Sequence, residues 1–453
     1  SGVFDLRLRK GNSEKHEYTL QAGVLGLDVA AEGPLRLGNR TGSYLVNYRY
    51  STLSILSKVG VNIGDAATNF QDLSFNVWMP AGKAGVFTLF GMGGLSDQSQ
   101  KSEADSLLWE DDLYKRFDYK FKANTGVVGL THSLILNDQT YLKTVVAASG
   151  TENSEQVDKL LNDYTLRRES DNDLVQTKLT VSSTLNHKFN ARHFLRAGGY
   201  VNFLNYRFSQ HAWDDDDARL EEQLQNKGTG TTINTFAQWQ YRATDRMTLN
   251  AGLHSMVFLL NNTWSVEPRA SVKYAFSERQ SLSFGYGLHS QTQPLGTYFT
   301  RITGDDGSFT QPNRDLDLTK AHHFVLSFDQ SLPGNWHLKP EVYYQALTNV
   351  PVNGAENDAF SILNVTQGYV NETLVNDGKG RNYGVELTAE KFLTNGLYFM
   401  LASSLFQSEY KGSDGVWRNT RFNSNFINTL TAGKEWEWNR GHKNRSIGVN
   451  LKI

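Results

Sequence analysis

The sequence predicts an all-β chain folded as a transmembrane antiparallel up-and-down β-barrel. Three observations carry that expectation: hydrophobicity alternates with a period of two along many segments, the connections are alternately short and long, and aromatic residues gather beside the short ones.

The alternation is plainest in the segment NYGVELTAEKF, residues 382 to 392. Tyr383, Val385, Leu387 and Ala389 are apolar, and between them stand Gly384, Glu386, Thr388 and Glu390. Successive strand residues point to opposite faces, so both glutamates share one face with no counter-charge on it. The same period recurs in SLSFGYGLH, where Leu282, Phe284, Tyr286 and Leu288 alternate with Ser283, Gly285, Gly287 and His289. In TKLTVSSTLNHKF, Leu179, Val181, Leu185 and Phe189 mark the apolar side, and in RMTLNAGLH it is Met247, Leu249, Ala251 and Leu253. RASVKYAF and YLVNYRY follow suit. Alternation alone also fits a sandwich with one wet face, so the connections decide.

Short turns fall at PAGKAG (80 to 85), NDQT (137 to 140), FNAR (189 to 192), TDR (244 to 246), SERQ (277 to 280), PGN (333 to 335) and TNG (394 to 396). Longer polar connections lie between them, near 57 to 68, 97 to 116, 155 to 164, 213 to 228, 293 to 319, 350 to 380 and 411 to 421, with a brief one near 261 to 263. All the tight turns therefore belong to one rim and the long loops to the other. Outer-membrane barrels sort their connections this way, with short periplasmic turns and long extracellular loops, and a sandwich has no reason to. Trp78, Phe189, Tyr241, Phe276, Trp336, Phe392, Tyr398, Trp436 and Trp438 lie beside the short turns, where an interfacial girdle is expected. On this reading Tyr383, Val385 and Leu387 face lipid, and Glu386, Thr388 and Glu390 face a wet lumen or a plug.

Composition agrees. The 453 residues carry a formal charge of -2, which gives no electrostatic reason to expect nucleic acid as a partner. Aromatics reach 12% and there are 39 glycines against 8 prolines, a mixture that favours strands and turns. Cysteine is absent, which rules out disulfides and thiolate metal sites. No apolar run approaches the roughly 18 residues of a membrane helix. The first residues, SGVFDLRLRK, contain neither an initiator methionine nor an apolar signal segment, so this start is expected not to be the native one.

Several stretches also resemble a known family. GRNYGVELTAEKFLTNGLYFMLASSLFQSEYKGSDGVWRNTRFNSNFINTLTAGKEW resembles the late barrel strands of TonB-dependent outer-membrane receptors, in the branch with a carboxypeptidase-regulatory-like N-terminal domain. PNRDLDLTKAHHFVLSFD, from 312 to 329, is similar to the entry into a mid-barrel strand. SGVFDLRLRKGN looks like the last plug strand and LDVAAEGPL like the second barrel strand. The resemblance covers essentially the whole chain. It implies 22 strands around a plug, of which about 19 can be assigned here: residues 1–15 are the end of the plug domain and its link, and 16–453 an incomplete barrel. It further implies a non-enzymatic receptor in the outer membrane of a Gram-negative bacterium. Such a receptor binds a scarce nutrient (siderophore, glycan, peptide or cofactor), contacts outer-membrane lipid, and is driven by the TonB-ExbB-ExbD complex through the absent plug. A surface lipoprotein partner is left open, and no cofactor is expected. The alternatives are a passive porin-like channel and a secreted β-rich carbohydrate-binding protein.

The resemblance directs substrate binding to the loops at 293 to 319 and 350 to 380. In the first, Tyr298, Phe299, Arg301, Asp305, Asp306 and Arg314 combine aromatic and charged side chains, a set suited to small ligands. Other candidates give way to structural readings. His322 and His323 are adjacent in a strand and point apart, so they do not share a metal easily. The acidic run WDDDDARLEE (213 to 222) lacks calcium-loop spacing and reads as a solvated outer loop. Ser102 and Asp105 have capping-box spacing ahead of Glu110, Asp111 and Asp112, which predicts a short helix in that loop. Glu386 and Glu390 could be imagined as a glycosidase pair, but lining of a lumen explains them better.

Overall fold

The computed structural model describes residues 6–23, 26–51, 68–303, 308–366, 370, 372–440 and 443–453. The chain forms two compact units, residues 1–185 with 198–233, and residues 186–197 with 234–453. Strand is the dominant element of both. The first unit contains β1 (Glu17–Ala22), β2 (Gly26–Leu37), β3 (Arg40–Ser51), β4 (Thr68–Pro80), β5 (Val86–Gln100), β6 (Phe117–Asn137) and β7 (Thr140–Leu160), with most of β8 (Leu166–Lys188) and parts of β9 (His193–Asp214) and β10 (Arg219–Arg242). The second contains β11 (Met247–Phe258), β12 (Thr263–Ser277), β13 (Gln280–Gln291), a two-residue pair β14 (Ile302–Thr303) and β15 (Phe309–Thr310), β16 (Thr319–Leu332), β17 (Trp336–Asn353), β18 (Leu374–Thr394), β19 (Leu397–Lys411), β20 (Trp417–Asn419), β21 (Phe426–Arg440) and β22 (Lys443–Lys452). Setting aside β14, β15 and β20, nineteen long strands succeed one another among the described residues, as the alternation predicts. No helix of the described residues is long and apolar enough to cross a membrane.

Each unit is an antiparallel meander. In the second, one cross-strand row runs Leu249, Val272, Phe284, Leu326, Val342, Val385, Leu405 and Phe426, each directly opposite the next. These are apolar residues on an open face: Phe284 is 45% exposed, Val342 51%, Val385 50% and Leu405 62%. The next row towards the long loops is aromatic, with Tyr286, Phe324, Tyr344 and Tyr383 in register. The first unit repeats the arrangement with Val77, Leu89, Leu130 and Val146. Water would oppose exposing so much apolar surface, at about 25 cal/mol for each Å², whereas hydrocarbon does not. The opposite face is polar. There Glu341 stands directly across from Glu386, and Lys339 Nζ lies 3.0 Å from Glu341. Two facing carboxylates are unfavourable unless water or a cation reaches them.

Residues 8 to 12, ahead of β1, lie over the polar face of β2 to β4. Arg9 clamps Glu32 at 2.6 and 2.7 Å, the Asn12 amide donates to Glu32, and Asn76 Nδ2 donates to the Leu8 and Arg9 carbonyls. The polar face therefore accepts a further segment of chain.

The short turns stand where the sequence puts them. In the turn 394 to 396, Asn395 and Gly396 have φ of 52° and 71°, as a two-residue hairpin loop requires. Of the aromatic residues beside these turns, Phe189, Phe276, Trp336, Phe392, Trp436 and Trp438 are exposed. Trp78 is a departure, because it shares the polar face with Asn76 and packs under Lys10, 4.8 Å from its ring.

Two expected loops are largely strand. Residues 155 to 164 and 213 to 228 continue the ladders of β7 through β10, which reach 21 to 24 residues and leave only the turns 161 to 165 and 215 to 218. Ion pairs accompany the extension: Arg168 reaches across to Asp158 of β7 and along its own strand to Asp171, and Arg219 pairs with Asp217 of the turn and Glu221 of its own strand. In the acidic run the Asp214 carboxylate accepts the Asp216 and Asp217 amides and closes the turn. The loop expected near 57 to 68 lies almost wholly outside the described residues. The predicted helix in the next loop exists as Leu108–Asp111, but Ser102 does not cap it. Its amide and hydroxyl donate to Asp118 instead.

Candidate functional site in the long loops

The described parts of the long loops of the second unit, within 292 to 318, 354 to 373 and 412 to 425, are folded against one another. Leu295–Tyr298 is a single helical turn that follows Pro294, and it drops Tyr298 into a core made by Phe258, Phe299, Leu316, Val370 and Leu374. The Tyr298 ring lies 5.0 Å from that of Phe258, and its hydroxyl accepts the Gln293 amide at 3.1 Å. Burial pushes the Tyr298 phenol up to about 12.

Polar stitches cross from loop to loop. Thr300 Oγ1 donates to the Val370 carbonyl at 2.6 Å. Asn313, fully buried, donates to the Glu372 carbonyl and accepts the Leu374 amide, both at 2.8 Å. Asp317, Asn349 and Asn376 form a closed set: Asn376 Oδ1 accepts the Asp317 amide, Asn349 donates to Asp317 Oδ2, and Asn376 donates to the Asn349 carbonyl. The third loop joins through Ser413, which accepts the Asp358 amide, and through Asn364, which accepts that of Arg421. Thr300 and Asn313 are buried and the others mostly half-buried, and all have partners, so they favour one arrangement of the loops.

The six loop residues singled out in the sequence divide accordingly. Tyr298 and Phe299 are enclosed and shape the loop. Arg301 and Arg314 are exposed, and the Arg301 guanidinium lies 4.7 Å from the Phe309 ring centroid. Asp305 and Asp306 lie outside the described residues. Glu386, Thr388 and Glu390 share the polar face of β18, opposite Tyr383, Val385 and Leu387. Sequence reasoning missed Phe309, Arg421 and Phe422, which extend the exposed cationic and aromatic surface. Phe309 is 57% exposed and Phe422 56%, with Arg421 5.9 Å from the Phe422 ring. Nearby, Arg381 is held by Glu409 at 2.6 Å and lies 4.3 Å from the Trp417 ring. The signal was available, because WRNTRF alternates the same residue types.

Among the described residues no group of three or more His, Asp or Glu is placed to hold a metal ion. His322 and His323 do point apart. His322 meets the Tyr286 hydroxyl at 3.0 Å, and His323 packs on His289 with 4.6 Å between ring centroids.

A family model described as TonB dependent receptor-like, beta-barrel, matches residues 30–447. The chain belongs to this family of TonB-dependent receptors. Solved receptors share its fold. The ferric-catecholate import receptor Fiu from E. coli K12 superposes with a TM-score of 0.66 at 12% identity, over 98% of this chain and 71% of that one. The ferric enterobactin receptor of Pseudomonas aeruginosa gives 0.60 at 13%, over 98% and 75%. The RagAB peptide transporter gives 0.57 at 10%, over 94% of this chain and 59% of that one. No curated protein matches the chain in sequence. A TonB-dependent receptor barrel implies the outer membrane of a Gram-negative bacterium and a receptor or transporter role. The exposed apolar row through Phe284, Val385 and Leu405 is consistent with such a barrel.

Proposed function

We propose that the chain is the barrel part of a non-enzymatic receptor that captures a scarce nutrient on its extracellular loops and imports it with energy delivered by the TonB complex. Family membership over residues 30–447 carries this reading. The loop core supports it: a ligand surface needs side chains held in place, and the stitches through Asn313, Thr300 and Asn376 hold Arg301, Arg314, Phe309, Arg421 and Phe422 on a fixed frame. Guanidinium and aromatic groups suit a cargo with anionic or flat conjugated groups. Glu386, Thr388 and Glu390 then line the passage, and the accommodation of residues 8 to 12 on the polar face fits a plug beside it.

The test is uptake by cells carrying the full-length native gene under nutrient limitation. The reading predicts uptake that stops when TonB is deleted and that weakens at least tenfold in an Arg301→Ala, Arg314→Ala, Arg421→Ala triple variant. Uptake unchanged by loss of TonB would establish a passive channel instead.

A further inference from the structure

A hollow of about 580 Å³ opens beside the upper ends of β12, β13 and β16, lined by Asn262, Thr263, Trp264, Ser265, Val266, Leu288, Ser290, Asp317 and Lys320. Its side is set by register. Leu288 and Ser290 have the parity of Phe284, and Lys320 has that of Phe324 and Leu326, so the hollow opens on the face of the apolar band. Its height follows from the strand rise: Lys320 stands four residues beyond Phe324 of the aromatic row, roughly 13 Å along the strand. For a strand tilted about 45° this is about 9 Å along the membrane normal, so Lys320 stands on the outer, headgroup side of an interfacial aromatic row.

Three features of the hollow call for an occupant. Trp264 is 65% exposed and Val266 45%, a large apolar surface above the aromatic row. The Ser290 hydroxyl is buried with no hydrogen-bond partner among the described residues, an arrangement that is unfavourable unless a partner arrives. The Lys320 ammonium makes no ion pair among the described residues. The one carboxylate in the lining, Asp317, is already engaged, with Oδ2 accepting from Asn349 and Oδ1 from the Leu318 amide. Asp317 keeps its charge, but its oxygens are held by the loop groups and it makes no ion pair with Lys320.

We infer that this hollow binds the phosphate-bearing headgroup of a membrane lipid, with Lys320 and Ser290 on the phosphate and Trp264, Val266 and Leu288 against the upper acyl chain. A free phosphate would use the two polar groups and leave the apolar wall exposed. A lipid uses both, and the wall continues into the lipid-facing band. The inference rests on the outer-membrane reading.

The experiment has two steps. The purified full-length native receptor is first incorporated into neutral vesicles and floated. Failure to float would overturn the membrane reading itself, and the lipid site with it. Floated protein is then extracted into a phosphorus-free detergent, and native mass spectrometry follows retention of phosphatidic acid against diacylglycerol with the same acyl chains. The expected result is retention of phosphatidic acid alone, lowered about tenfold in Lys320→Gln and reduced in Ser290→Ala. Lys339→Gln, on the polar face, leaves it unchanged. Equal retention of both lipids, or by Lys320→Gln and the parent protein, would overturn the site. Displacement of the lipid by inorganic phosphate at equal concentration would reassign it to the free anion.

Discussion

Leu387 and Thr388 are covalent neighbours on β18, yet they belong to different solvents. Leu387 stands on the exposed apolar face, and Thr388 on the face it shares with Glu386 and Glu390. Arginine at Leu387 is therefore expected to cost about 2–4 kcal/mol near the bilayer midplane, and arginine at Thr388 much less. Denaturant unfolding of the full-length receptor in lipid vesicles checks this, and equal costs would reverse the face assignment. In the loop core, Tyr298 gives a pH prediction. Its folded pKa of about 12 lies above the ordinary 10, so the folded loops bind the proton more tightly. Stability from this group is complete below pH 10 and is lost as pH rises from 10 to 12. Protease cleavage of the loops should rise in that window and stay flat in Tyr298→Phe. Asn313→Ala leaves the Leu374 amide without its acceptor, which costs about 1–3 kcal/mol, and should speed cleavage of both loops at neutral pH.

At the scale of elements, the strands and their tight turns were legible because each obeys a local rule. A period of two needs only one strand to be seen, and Asn395-Gly396 announces its own turn. A β-carbon at Gly396 would run into the Glu435 carbonyl, besides its positive φ, so Gly396→Val should destabilise the β18–β19 hairpin. Hydrogen exchange of its amides measures that. The upper ends of β7 through β10 were not legible, since a polar strand in water and a polar loop have the same composition. What separates them is the partner across the ladder, such as Asp158 of β7 for Arg168 of β8, and those pairings are set by the fold. The loop residues failed for a related reason. Tyr298 looks like a ligand contact in sequence, and only its packing on Phe258, some 40 positions earlier, shows that it is enclosed. His323 likewise meets His289 across the ladder and not its neighbour His322.

At the scale of the whole molecule, the usual arrangement of a protein surface is inverted: the residues most exposed along β16 to β19 are the apolar ones, and the polar ones face the other way. That inversion makes sense only with hydrocarbon outside, and the receptor reading, the girdle and the lipid hollow all depend on it. The chain contains no cysteine, so single cysteines can be placed at each position from 383 to 390 and spin-labelled in bilayers without background. The measurement is the accessibility of each label to oxygen, which concentrates in lipid, against a water-soluble nickel chelate. The account predicts oxygen maxima at 383, 385, 387 and 389 and chelate maxima at 384, 386, 388 and 390. A profile with no two-residue period, or with the two maxima exchanged, would contradict it.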